Sequence, residues 1–196
     1  MRAGISHNPP WVDAAPAEPF GIEADLMRDF AASLQSRIDW ARGSESELLA
    51  ALKAGALDIV LGGLTDDSPW LSELGATRPY VTTKLVLATA HGGEAPELRG
   101  LEVKIRKADP AASFLRSKGA KVQPVESMRP PPGSAAAVED WQAASLGLRS
   151  TTRVLRTEKH IFLTPPGENG WLLALDRFLA NRDADLKTRL ESEALK

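Results

Sequence analysis

Apolar positions along the first 65 residues follow two alternating periods. Residues 2–6 form a short apolar run stopped by Asn8-Pro9-Pro10, where successive prolines remove amide donors and force extended backbone, so a strand and then a loop are predicted. Ile22, Leu26, Phe30, Ala31 and Leu34 recur at helical spacing with Arg28, Asp29 and Gln35 opposite, which predicts an amphipathic helix over 21–36. Residues 37–42 alternate as a strand through Ile38-Asp39-Trp40-Ala41. Ser44-Glu45-Ser46-Glu47 then has the form of a capping box, in which the Ser44 hydroxyl takes the Glu47 amide proton and the Glu47 carboxylate reaches back. The helix it opens runs through Leu48, Leu49 and Leu52 to Gly55, and Asp58-Ile59-Val60-Leu61-Gly62 is a nearly all-apolar third strand. The sum is βαβαβ, an open α/β layer.

Further along, Ser68-Pro69 predicts a short helix, with serine as N-cap and proline at the first helical position, and residues 81–89 a long strand. Residues 101–106 and 121–125 read as strands around a helix that Asp109-Pro110 caps and Gly119 ends. The three prolines of segment 129–134 require a loop, after which a short helical run is expected through residues 141–146. Residues 151–155 and 160–164 look like two strands, 171–180 like an amphipathic helix, and the stretch from 183 like a charged one.

Charge sharpens this picture. The 196 residues carry 24 Lys+Arg and 26 Asp+Glu, a net of -2, so no global field recruits nucleic acid or an anionic membrane. Residues 97–160 nevertheless net +5 and the remainder -7, which suggests an inserted second lobe. No cysteine is present, so disulfides, thiolate metal sites and thiol nucleophiles are excluded. No apolar run approaches the roughly 18 to 20 residues of a membrane span. The first five residues lack the basic and apolar regions of a secretory signal, which is read as either a cytoplasmic chain or one whose signal has been trimmed.

Catalytic motifs are absent: there is no glycine-rich phosphate cradle, no Gly-x-Ser-x-Gly and no His-Glu-x-x-His. No catalytic residue, metal site or cofactor is therefore expected. Ligands of open α/β sheets bind beyond the carboxyl ends of the strands, and this rule selects His7 and Trp11 after the first strand, Ser44 and Glu45 after the second, and residues 63–70 after the third. Two tryptophans, Trp11 and Trp70, and a carboxylate on one edge suit a ligand with an apolar or cationic group.

The order of these motifs resembles the extracellular solute-binding proteins of the amino-acid type, family 3, the venus-flytrap proteins that feed ABC importers. The resemblance rests on Gly4-Ile5 leading to Pro9-Pro10-Trp11, on Gly21-Ile22-Glu23-Ala24-Asp25-Leu26, on residues 49–60, on Gly63-Leu64-Thr65 and on Thr77-Arg78-Pro79-Tyr80. It implies a type 2 periplasmic-binding-protein fold with two α/β lobes. Lobe one would comprise residues 1–88 and 159–196, a shortened lobe two residues 89–158, and the hinge crossings would lie near 86–92 and 155–160. The implied function is capture of a small polar solute, amino-acid-like or an amine, between the lobes for delivery to an ABC permease. The implied protein is a periplasmic or extracellular monomer that neither inserts in a membrane nor binds nucleic acid. A receptor's sensing module and a dehydratase-like enzyme on the same scaffold, with Glu139 or Asp140 as general acid, are the alternatives.

Carried over by position, the resemblance implies ligand contacts at Gly63, Thr65, Glu45, Arg106, Asp109 and Asp140. The arginine that clamps a ligand carboxylate five residues after the threonine is replaced by Trp70, and a tryptophan cannot imitate a guanidinium fork. Arg78 is the nearest substitute in sequence. Several acidic positions suit a cationic amine, whereas Arg106 and the basic lobe point toward an anion or zwitterion.

Overall fold

The computed structural model describes residues 1–15, 17–128, 134–180 and 182–194. The chain opens with β1 (Arg2–Ile5), α1 (Ile22–Ser33), β2 (Asp39–Arg42), α2 (Glu45–Lys53) and β3 (Ile59–Leu61), the expected βαβαβ. The capping box of α2 forms with both reciprocal bonds: the Glu47 amide donates to Ser44 Oγ, and the Ser44 amide donates to Glu47 Oε2 at 3.1 Å. Next come β4 (Gly75–Ala76), β5 (Val81–Thr89), β6 (Glu102–Arg106), α3 (Ala111–Ser117), β7 (Lys121–Val125) and β8 (Ala135–Glu139). The chain ends with β9 (Arg149–His160), β10 (Leu163–Thr164), α4 (Asn169–Leu179) and α5 (Asp183–Glu193).

Several expectations are corrected. The Ser68-Pro69 helix is only a 3-10 turn, Pro69–Ser72, and residues 141–146 form two such turns instead of a helical run. The two strands expected at 151–155 and 160–164 are one twelve-residue strand, β9, and the two-residue β10. The polar stretch Arg156-Thr157-Glu158-Lys159 hides the continuity, because charged residues are what an edge strand tolerates. Strand β8 is unanticipated: its Ala-Ala-Ala-Val core carries helix-forming residues, yet it is buried at the middle of a sheet. All but Ser134 of the expected proline loop at 129–134 lies outside the described residues.

Two units can be distinguished. Unit 1 comprises Met1–Thr82 and Lys159–Leu190; unit 2 comprises Thr83–Glu158 and the residues from Glu191 onward. In unit 1 the sheet order is β2-β1-β3-β10-β4, with β1 parallel to β2 and β3, and β10 antiparallel to β3 and β4. Its core buries Ile5, Leu26, Met27, Phe30, Leu49, Leu52, Ile59 and Leu61. Phe30 meets Trp171 and Phe178 of α4 at ring separations of 5.3 and 5.0 Å. In unit 2 the order is β7-β6-β8-β5-β9, with β6 parallel to β7 and β8, and β5 antiparallel to β8. Leu87, Val103, Ile105, Leu115 and Ala137 form its core. No helix among the described residues is long and apolar enough to cross a membrane.

Candidate functional site

Parallel strands put the residues that follow them on one edge of a sheet, and in unit 1 that edge gathers the segments after β1, β2 and β3. After β1 the chain folds back through paired backbone bonds between Asn8 and Val12, at 2.9 and 3.1 Å. The fold-back turns Trp11 inward. The indole is only 7% exposed, lies 3.9 Å from the His160 ring, centroid to centroid, and meets Tyr80 edge-on at 6.4 Å. It rests on Gly63, whose φ of +73° is left-handed and whose missing Cβ would stand 2.4 Å from Trp11 Cδ1. Only glycine satisfies both demands.

Below this surface a carboxylate is entirely buried. Glu23 Oε2 accepts the Gly62 amide at 2.7 Å, both its oxygens lie 3.1 Å from the Gly63 amide, and the Tyr80 hydroxyl donates to Oε1. Burial pushes the Glu23 carboxyl up to about 7 against the opposing pull of those three donors. The same burial, with the Glu23 charge beside it, raises the Tyr80 phenol. His160 is held down at about 4 by burial, although its bond with the Gly63 backbone and the charge of Asp66 favour the protonated form. None of the three was singled out as a site residue from the sequence, although Glu23 and Tyr80 stand in the motifs that carry the resemblance. One signal was available: Glu23 stands among Ile22, Ala24, Leu26 and Met27 on the buried side of α1, where an acidic residue needs partners.

The other candidates of unit 1 are placed as follows. His7 is exposed, with Nδ1 3.2 Å from Asp13 and accepting the Ala14 amide at 3.3 Å. With Ile5, Ala14, Ala15, Arg42 and Gly43 it lines an open cavity of about 330 Å³. Glu45 is exposed in the first turn of α2, where its charge meets the positive end of the helix dipole. Thr65 donates its hydroxyl to Asp67 and bridges His160 through the backbone. Trp70 packs against the cluster of Leu48, Leu49, Leu52 and Leu74. Arg78 is exposed and held to α4: its amide donates to Asp176 Oδ1 at 2.9 Å and its Nε lies 3.6 Å from Oδ2.

Unit 2 has its own edge, beyond β6 and β8. Arg106 ends β6 and is exposed. Asp109 accepts the Ala111 amide at 2.9 Å from one residue outside the N-cap of α3, which is Pro110. Asp140, just past β8, accepts the amides of Trp141 at 3.0 Å and Lys84 at 3.3 Å. Arg156 of β9 joins the cluster, which no sequence spacing announced. It donates to Asp109 at 3.0 Å and Glu158 at 2.6 Å, and its Nη2 stands 3.9 Å from Glu139 Oε1. Glu139 Oε2 is buried with no hydrogen-bond partner among the described residues. Burial, and then the charges of Glu158, Asp140 and Asp109 against that of Arg156, push Glu139 up to about 7. Three carboxylates, Asp109, Glu139 and Glu158, thus gather around the one guanidinium of Arg156, with Asp140 next to Glu139. Among the described residues no group of three or more His, Asp or Glu is arranged to hold a metal ion.

The model of the bacterial extracellular solute-binding proteins, family 3, matches residues 1–191. No curated protein matches the sequence. Among solved structures, the L-cystine solute receptor of Neisseria gonorrhoeae, in an unliganded open conformation, aligns with a TM-score of 0.76 at 15% identity, covering 100% of this chain and 92% of that one. An ancestral cationic amino acid solute-binding protein aligns with a TM-score of 0.75 at 16% identity, covering 100% and 95%. The B. pertussis BvgS periplasmic domain gives a TM-score of 0.75 at 16% identity, covering 98% of this chain and 43% of that one. At these identities the likeness is one of fold, and the fold is the type 2 periplasmic-binding-protein architecture.

Proposed function

We propose, since the chain belongs to the bacterial extracellular solute-binding proteins, family 3, that it captures one small polar solute outside the cytoplasmic membrane and hands it to the permease of an ABC importer. The family match over residues 1–191 carries this reading. The solute is amino-acid-like or an amine, and no bond of it is made or broken. Two features support a cationic group on it. The position of the family's carboxylate-clamping arginine holds Trp70, partly buried against the core cluster, and Arg78 is engaged by Asp176. Around Arg156 carboxylates outnumber the cation, with Asp109, Glu139 and Glu158 within 3.9 Å of its guanidinium. Closure on the solute then follows the usual linkage, in which the ligand favours the state it contacts best.

A thermal-shift screen against the standard amino acids, polyamines, simple amines and small carboxylates tests the reading. At one hundred times its Kd a solute adds about 2.7 kcal/mol, a shift of roughly 5–10 °C for a chain of this size. Amines or cationic amino acids should shift it. Shifts confined to carboxylates without an amino group would overturn the cationic assignment. No shift with any member of the panel would overturn solute capture of this class.

A further inference from the structure

The buried carboxylate of unit 1 is costly unless its position is used. Its backbone amide donates to the Trp11 carbonyl at 3.0 Å, while its side chain holds the amides of Gly62 and Gly63. One residue therefore ties the loop after β1 to the end of β3, and Trp11 lies on Gly63 where the two meet. The third donor, Tyr80, sits two residues before the chain leaves unit 1 after Thr82. Its amide donates to the carbonyl of His160, the second residue after the chain returns at Lys159, at 3.0 Å. Its ring also stacks on Phe162 at 4.6 Å.

We infer that Glu23 is a positioning residue: by accepting the amide protons of Gly62 and Gly63 and the hydroxyl proton of Tyr80, it sets the tilt and height of the Trp11–Gly63 surface and pins that surface to both chain crossings. Its bearing on affinity rests on the solute-capture reading; its bearing on Trp11 does not. The chemistry is specific to an ionised acceptor. The two glycine amides can only donate and Tyr80 donates to the ionised form, so a neutral carboxyl or an amide at this position puts a donor where an acceptor stood, and either Tyr80 turns to accept it or one of the three bonds is lost. The titratable groups around it are Tyr80, just before β5, and, across Trp11, His160 at the end of β9 with Asp66 beside it; His7 and Asp13 face each other in the fold-back loop that carries Trp11. Of Glu23, Tyr80 and His160, only Glu23 is held near neutrality, since His160 is kept at about 4 and Tyr80 is raised.

The test follows the indole N–H resonance of Trp11 in the full chain, identified by its loss in Trp11→Phe, from pH 5 to 9. The resonance is expected to move with a midpoint near 7. In Glu23→Gln that movement should vanish and the resonance should stay displaced. In Tyr80→Phe, where a donor to the ionised form is gone, the midpoint should rise by about one unit. Glu23→Gln should also weaken any solute found by the thermal-shift screen at least tenfold. A Trp11 resonance that is indifferent to pH and to both substitutions overturns the positioning role, whether or not a solute binds. If Glu23→Gln does not fold, an unmoved midpoint in Tyr80→Phe does the same. A resonance that titrates and responds, in a chain that binds no solute, leaves the positioning role standing and removes solute capture instead.

Discussion

Gly63→Ala probes the contact on which the unit 1 edge is built, and Gly55 supplies its control. The two glycines have nearly the same backbone, with φ of +73° and +72°, but a Cβ on Gly55 meets nothing within 4 Å, whereas one on Gly63 meets Trp11 Cδ1 at 2.4 Å and Cγ at 2.7 Å. Alanine in the left-handed region costs about 1–2 kcal/mol in either place. At Gly63 the indole must also move, and overpacking of this kind adds about 1–3 kcal/mol. Gly63→Ala should therefore cost about 2–5 kcal/mol against about 1–2 kcal/mol for Gly55→Ala. For a chain of this length that difference separates the melting temperatures by on the order of 5 °C. Urea denaturation followed by far-UV circular dichroism measures both losses. A double-mutant cycle then isolates the cause: in a Trp11→Ala background, Gly63→Ala should lose most of its excess over Gly55→Ala, the remainder coming from Asn8 Nδ2, which stands 2.9 Å from the same Cβ position. Equal losses for the two glycines in the parent protein, or an undiminished Gly63→Ala penalty without the indole, would refute the steric account.

Arg156→Met should destabilise the protein by about 2–4 kcal/mol at pH 8, because it strips two charged hydrogen bonds from a cluster that keeps its carboxylates. The loss should shrink at pH 5, where Glu139, held at about 7, is already neutral; urea midpoints at the two pH values that fall equally would contradict this. His160 is kept neutral by burial, with its pKa at about 4 against 6.5 in the unfolded chain, so the unfolded state binds the extra proton between those values. Its contribution, up to about 3 kcal/mol, is full above pH 6.5 and disappears as the pH falls to 4. The stability difference between the parent and His160→Gln should accordingly narrow over that range in parallel denaturation curves. Ser44→Ala removes the acceptor for the Glu47 amide and should cost about 1 kcal/mol, readable as a small loss of melting temperature, whereas Ser46→Ala in the same turn should cost far less.

What the sequence disclosed was local chemistry. The periods of residues 2–62 and the Ser44–Glu47 box report contacts within a few residues, and they yielded the first five elements in order. Strand β8 was hidden because alanine favours helices; burial between β6 and β5 overrides that preference and makes it a strand. The length of β9 was hidden because an edge strand admits charge on both faces. The strand-end rule found Trp11 and Gly63, which the structure places in contact, but gave no hint that Trp70 turns toward the core or that Arg78 reaches Asp176. Glu23 and Tyr80 are 57 residues apart, and Arg156 and Asp109 are 47 apart. No periodicity spans such distances, so pairs of this kind become visible only when the sheets bring them together.

The strand order of unit 1 also governs when it can be completed. β4 pairs with β10 alone, and β10 inserts between β3 and β4 from residues 163–164. A growing or emerging chain that has reached residue 158 holds the whole 83–158 segment of unit 2, yet the sheet of unit 1 is still three parallel strands with an open flank. The segment that interrupts unit 1 can thus mature before the unit it interrupts, and the N-terminal residues are among the first made but not the first finished. Any truncation upstream of Leu163 leaves β3 with an unpaired edge, and such an exposed edge invites pairing with other chains.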